Sequence, residues 1–149
     1  MKAKKTNKLQ LSNSDLLRYN KHALLEEIEV DGLVMLSQKH IALIGLGGLG
    51  CPIAQYLSTS GLGEITLIDD DRVEDTNLQR QILYTESDIG YYKTDVAHNR
   101  LNVLNPKLKV NSFNIRLTSE SFNLIKDADI IIDATDSFKS RLSINKISL

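Results

Sequence analysis

Cysteine is nearly absent, with Cys51 alone in 149 residues. A lone thiol excludes an internal disulfide and any zinc site built from several cysteines within this chain. The three histidines, His22, His40 and His98, lack metal-ligand spacing and read as surface or capping residues. Charge of one sign is lacking too. The 18 basic and 19 acidic side chains leave a net charge of −1, which gives no electrostatic reason to expect nucleic acid. No apolar run approaches the length of a membrane span, and the basic start, MKAKKTNK, is not followed by the apolar core of a signal peptide. The expected location is cytoplasmic, away from membranes. Repeats and low-complexity tracts are missing. No glycine-rich loop ends in Gly-Lys-Ser/Thr, which excludes a P-loop enzyme.

What is present is the composition of one ordinary globular domain, 42% hydrophobic and 25% charged. Its organising stretch is residues 39–69. Residues 41–44 (IALI) form a short apolar run that stops at glycine, as expected for a strand buried on both faces. Gly45, Gly47 and Gly50 follow at G-x-G-x-x-G spacing, with Pro52 in the first turn of a helix. A second run, residues 65–68 (ITLI), ends on Asp69, about twenty residues beyond the glycines. In such a β-loop-α-β cradle Gly45 allows the sharp exit from the strand. Gly47 lets backbone approach a phosphate, Gly50 lets helix and strand pack closely, and Asp69 accepts from ribose hydroxyls.

In chain order, residues 1–12 read as a flexible basic tail. Residues 13–38 read as N-terminal helices, one starting near Ser14 and a short one over residues 33–37. Residues 39–149 read as a Rossmann-like nucleotide-binding domain. The long connection over residues 70–90 falls beyond the carboxyl ends of the strands, where open α/β sheets bind ligands, and this places Asn77, Gln79 and Arg80 near the site. Lys93 opens the next helix, residues 108–115 alternate as a third strand, Ser119 caps a short helix, and residues 130–133 (IIID) form a fourth strand running into Asp136. The alternation predicts an α/β fold with a doubly wound, mostly parallel sheet.

A dinucleotide and a triphosphate could share the first half of this cradle. Hydride transfer needs a nicotinamide pocket, whereas a triphosphate needs several cations and a metal ligand. Arg80 and Lys93 are cations on the ligand rim, and Asp136 is available to hold Mg²⁺ through the phosphates, so ATP fits better than NAD. Each residue also has a plainer reading: a surface ion pair for Arg80, a helix-start lysine for Lys93, an N-cap for Asp136, and for Cys51 a small buried residue behind the loop.

RYNKH at residues 18–22, GLGGLG at 45–50, LIDDD at 67–71, NLQRQ at 77–81, Lys93, Asn105-Pro106 and DATDS at 133–137 together resemble the ThiF/MoeB/HesA family, bacterial relatives of ubiquitin-activating enzymes. The likeness runs from about residue 15 to residue 149 and looks nearest to the thiamin-pathway members, with the molybdopterin-pathway members almost as near. It implies an adenylyltransferase that activates the C-terminal glycine carboxylate of a ubiquitin-like sulfur-carrier protein with Mg-ATP. By resemblance, Gly47 and Gly48 lie against the nucleotide and Asp69 holds the ribose. Asn77, Arg80 and Lys93 neutralise phosphates, and Asp136 binds magnesium.

The sequence departs from that pattern in places. Lys21 stands where the family usually has an arginine that reaches the partner's ATP across a homodimer, and lysine keeps the charge without the bidentate fork. Ser137 replaces a usual asparagine. Family members continue beyond the equivalent of Leu149, into the carrier-tail groove and the paired CxxC motifs of a zinc site not present in this chain. The chain is therefore expected to be incomplete at its C-terminus. Two alternatives to the adenylyltransferase stay open at this point: a catalytically inactive nucleotide-binding fragment, and an NAD-dependent oxidoreductase module.

Overall fold

Ile41, Ala42, Leu43 and Ile44 put apolar groups on both sides of the chain, so a strand made of them needs cover on both faces. In the computed structural model, which describes residues 11–147, β1 (His40–Ile44) has that cover, with Ala42 and Leu43 fully buried. The tail expected over residues 1–12 lies, up to residue 10, outside the described residues. Three further strands follow, β2 (Glu64–Ile68), β3 (Lys109–Phe113) and β4 (Ile130–Asp133). Among the described residues the four strands form one parallel sheet in the order β3-β2-β1-β4. The helices are α1 (Asn13–Arg18), α2 (Asn20–Ala23), α3 (Glu29–Leu36), α4 (Gly50–Thr59), α5 (Lys93–Leu104) and α6 (Phe138–Ile147). This is the doubly wound, Rossmann-like α/β architecture expected from the alternation of patterns.

Strand alternation divides the core in two. Ile41, Leu43, Ile65 and Leu67 point to one face and pack with Cys51 and Ala54 of α4 and Val96, Ala97 and Leu101 of α5. Ala42, Ile44 and Ile68 point to the other, against Leu117, Ile125 and Ile144. The register levels the carboxyl ends of the strands: Ile44 pairs with Ile68 on one side and Asp133 on the other, and Ile68 pairs with Phe113. From β1 the chain steps outward to β2 and β3, then returns to β4 on the opposite side of β1. The crevice between the ends of β1 and β4 is thus the switch point at which such sheets bind ligands.

Local differences from the sequence reading have identifiable causes. The first helix breaks at Tyr19, which leaves the helical path to become buried, its hydroxyl accepting a hydrogen bond from Asn105 Nδ2 at 3.2 Å. The cap of that helix is Ser12, in a capping box with Asp15. Helix α3 begins earlier than residue 33, at Glu29. β3 is shorter than residues 108–115, because Leu108 sits buried ahead of it and Asn114 turns its side chain to Thr94 and Asp95 of α5. The segment near Ser119 is a 3₁₀ helix whose N-cap is Thr118. His40 lies half-buried on β1, bonded to Thr66 Oγ1 at 2.8 Å, instead of capping or standing at the surface. No helix among the described residues is long and apolar enough to cross a membrane.

Candidate functional site

The loop from β1 into α4 folds tightly against itself. Gly45 has φ of +93°, and a Cβ there would lie 2.9 Å from the Ala134 carbonyl oxygen on the neighbouring strand end. A Cβ on Gly50 would come within 2.0 Å of the Gly45 carbonyl oxygen, so only glycine allows α4 to start this close to β1. Gly47 and Gly48 are different. Around Gly47 the nearest atom to an added Cβ is Gln81 Nε2 at 4.0 Å, and around Gly48 it is Arg80 Cδ at 3.6 Å. Both glycines line the cavity described below, Gly48 against the Arg80 side chain. Helix α4 starts there with no side-chain cap; in its first turn the Cys51 N–H donates to the Gly47 carbonyl at 3.0 Å and Pro52 carries no N–H.

The peptide of Leu46 holds this loop from both sides. Its N–H donates to Asp69 Oδ2 at 2.6 Å, while its carbonyl accepts from Tyr84 Oη at 3.0 Å and Cys51 Sγ at 3.2 Å. Asp69 Oδ1 also accepts from the Asp71 N–H at 2.8 Å. Burial raises the Asp69 carboxyl above its ordinary value, and these amides together with the Lys93 charge oppose the rise. A ribose contact was the expectation for Asp69; in the fold its carboxylate shapes the glycine loop. Burial likewise pushes the Cys51 thiol and the Tyr84 phenol upward, so Cys51 has the packed, inert environment expected of it.

Lys93, the first residue of α5, is 5% exposed, and its ammonium lies 2.8 Å from Asp71 Oδ2. Arg80 is exposed and donates to the Thr76 carbonyl at 3.1 Å. Asn77 is buried, its Oδ1 accepting from the Glu74 N–H at 3.2 Å. Across the crevice, Asp133 Oδ1 accepts from the Thr135 N–H and hydroxyl at 2.9 and 2.7 Å, bending the chain so that exposed Asp136 borders the site.

These groups surround one cavity of about 680 Å³ at the switch point. Of the residues expected from sequence, Gly45, Gly47, Gly48, Asp69, Asn77, Arg80, Lys93 and Asp136 line it. Gly50 stands behind the loop, and Lys21 lies on α2, away from the lining. Among the liners not named from sequence are Gln81, Arg116 and Arg141. Arg116 follows the end of β3 and could have been found by the strand-end rule that placed Arg80. Arg141 is on α6 and donates to the Thr135 carbonyl at 3.1 Å, a position no local pattern marks. Asp69, Asp70 and Asp71 also cluster, but they are engaged by backbone N–H groups, Arg116 and Lys93 respectively.

A volume within the usual range for small-molecule sites, two glycines on its border, and Arg80 and Arg141 held by backbone carbonyls suit an anionic nucleotide. Fold and cavity together define a Rossmann-like α/β domain with its anion-suited crevice at the sheet's switch point. Residues 19–149 match the ThiF family, and the chain belongs to that family. It is 42% identical over 146 residues to a probable molybdopterin-synthase adenylyltransferase of Porphyra purpurea, covering 93% of this chain and 38% of the relative. To the sulfur carrier protein ThiS adenylyltransferase of Escherichia coli (strain K12) it is 41% identical over 136 residues, covering 91% of this chain and 54% of the relative. Among solved structures, E. coli tRNA N6-threonylcarbamoyladenosine dehydratase, TcdA, in complex with ATP superposes with a TM-score of 0.75 at 31% identity, over 85% of this chain and 52% of that one. The chain thus spans about half or less of the length of these proteins.

Proposed function

We propose that this chain supplies the ATP-binding part of an adenylyltransferase that activates the C-terminal glycine carboxylate of a ubiquitin-like sulfur-carrier protein. The observation that carries this reading is the convergence of Arg80, Lys93, Arg116 and Arg141 on one glycine-bordered cavity, with Asp136 on its opposite lip. Lys93 and Arg116 are paired with Asp71 and Asp70, while Arg80 and Arg141 donate to backbone carbonyls and keep their charge available to a polyphosphate. The adenylyltransferase relatives and the ATP complex of a structural neighbour support the same choice.

In this reading, residues 39–149 are the ATP-binding domain. Gly47 and Gly48 admit the phosphates, Asp69 takes the ribose, and Asn77, Arg80 and Lys93 neutralise phosphate charge. Asp136 holds Mg²⁺ and Lys21 contacts the site of a second copy in a homodimer. The reaction, set in the cytoplasm, joins a carrier carboxylate to the α-phosphorus of ATP with release of pyrophosphate. The chain's contribution is positioning and electrostatic stabilisation, with no protein nucleophile in this step. ATP–pyrophosphate exchange tests it: exchange should depend on carrier, Mg²⁺, Arg80 and Asp136, and normal exchange by Arg80→Ala would refute the role of that residue. Trials with thiamin-pathway and molybdopterin-pathway carriers separate the two pathways. ATP binding without any exchange would leave a nucleotide-binding module that turns nothing over.

A further inference from the structure

Two acids at the end of β4 have opposite surroundings. Asp133 is tied down, its Oδ1 accepting from the Thr135 N–H at 2.9 Å and the Thr135 hydroxyl at 2.7 Å. Asp136 lines the cavity, and its carboxylate takes no hydrogen bond or ion pair among the described residues. The other acids of the lining, Asp69, Asp70 and Asp71, are engaged by the Leu46 N–H, Arg116 and Lys93 respectively. An exposed carboxylate without a protein partner, on the rim of an anion-suited cavity, fits a hard cation that arrives with a phosphate, since such ions take oxygen ligands.

What fixes Asp136 lies further along the chain. Arg141, in α6, turns its guanidinium back to the Thr135 carbonyl, with Nε at 3.3 Å and Nη2 at 3.1 Å. That carbonyl and the Asp136 N–H are the two ends of one planar peptide unit, so holding one sets the other. The preceding peptide is set by Asp133 through the Thr135 N–H, and the Ala134 N–H donates to the Ile44 carbonyl at 2.8 Å. The backbone leading to Asp136 is thus held from β1, from Asp133 and from Arg141, while its carboxylate is left to a ligand.

We propose that Arg141 is a positioning residue, acting through the Thr135–Asp136 peptide to aim the Asp136 carboxylate at a divalent cation carried by the nucleotide's phosphates. The proposal rests on the reading of Asp136 given above and deepens it. Charge by itself would act the other way, because a guanidinium near a metal site repels the metal. Loss of the guanidinium therefore weakens cation binding if it positions Asp136 and strengthens it if it acts only as a charge. Lysine keeps the charge but lacks the rigid fork that sets two N–H groups on one carbonyl.

Calorimetric titration with ATP, with and without Mg²⁺, gives the factor by which the cation tightens binding. It is measured on the parent, Arg141→Met, Arg141→Lys, Asp136→Asn and the Arg141→Met/Asp136→Asn double variant, with thermal melting to establish that each is folded. The factor should fall about tenfold in Arg141→Met and recover in part in Arg141→Lys. The double variant should match Asp136→Asn, because both changes act through one carboxylate. A factor in Arg141→Met within twofold of the parent's, or above it, would overturn the positioning role, and so would independent losses in the double variant. If methionine prevents folding, Arg141→Lys decides by the same criterion. A parent chain with no Mg²⁺ effect, or Asp136→Asn with the parent's factor, would remove the metal reading and this proposal with it. Loss in Asp136→Asn beside unchanged Arg141 variants would be a failure of Arg141 alone.

Discussion

Two glycines three residues apart should respond oppositely to the same methyl group. At Gly50 an alanine Cβ falls 2.0 Å from the Gly45 carbonyl oxygen and 2.8 Å from its carbon, both backbone atoms that no rotamer change can move. Relief requires separating the start of α4 from the end of β1, where Leu46, Cys51 and Ala54 are fully buried. Overpacking of this kind costs about 3 kcal/mol or more. For a chain of this size that lowers the melting temperature by roughly 6–12 °C or more. At Gly47 the same Cβ meets nothing nearer than 4.0 Å, and its φ is not positive. Alanine there should leave melting unchanged or raise it by up to about 1 kcal/mol through the unfolded chain. It would, however, occupy the space a phosphate needs, and ATP affinity should drop about tenfold or more. Differential scanning fluorimetry and calorimetry on both variants read these effects. A Gly47→Ala chain that melts early, or a Gly50→Ala chain as stable as the parent, would refute the division of labour in the loop.

Tyr84→Phe removes one of the two donors on the Leu46 carbonyl and leaves Cys51 as the other. Stability should fall by about 1 kcal/mol, and ATP affinity should fall a few-fold as the loop loosens; unchanged affinity beside a lowered melting point would limit Tyr84 to packing. Acid sensitivity should come in part from Asp129, whose carboxyl is held below its ordinary 3.8 by the Lys39 ammonium and the His40 N–H. An acid with a lowered folded-state pKa stabilises above its unfolded value, and that contribution disappears as pH falls through the lowered one. Asp129→Asn should therefore flatten the melting curve against pH below about pH 4, and an unaltered acid limb would contradict the assignment.

The β1-loop-α4-β2 unit was legible because its signals are local: an apolar run, glycine spacing, a proline in the first turn and an acid at the strand end. The same local logic located Lys93 at a helix start and Asp136 beyond β4. What sequence did not disclose depends on partners far along the chain. Tyr19 breaks the first helix because Asn105 waits 86 residues away. Lys93 is buried against Asp71, a pairing created by the fold of the intervening loop. The strand order, which turns two strand ends into a crevice, is likewise a property of the whole sheet. Arg141 sat in plain view within α6, but only its bonds to the Thr135 carbonyl single it out.

The cavity's preference between a triphosphate and a dinucleotide is the centre of this account. Titration of the chain with Mg-ATP and, separately, with NADH measures it in a single calorimetric comparison. Saturable one-site binding of ATP, weakened in Arg80→Ala and not competed by NADH, is the predicted result. Tight NADH binding with no response to ATP would contradict it.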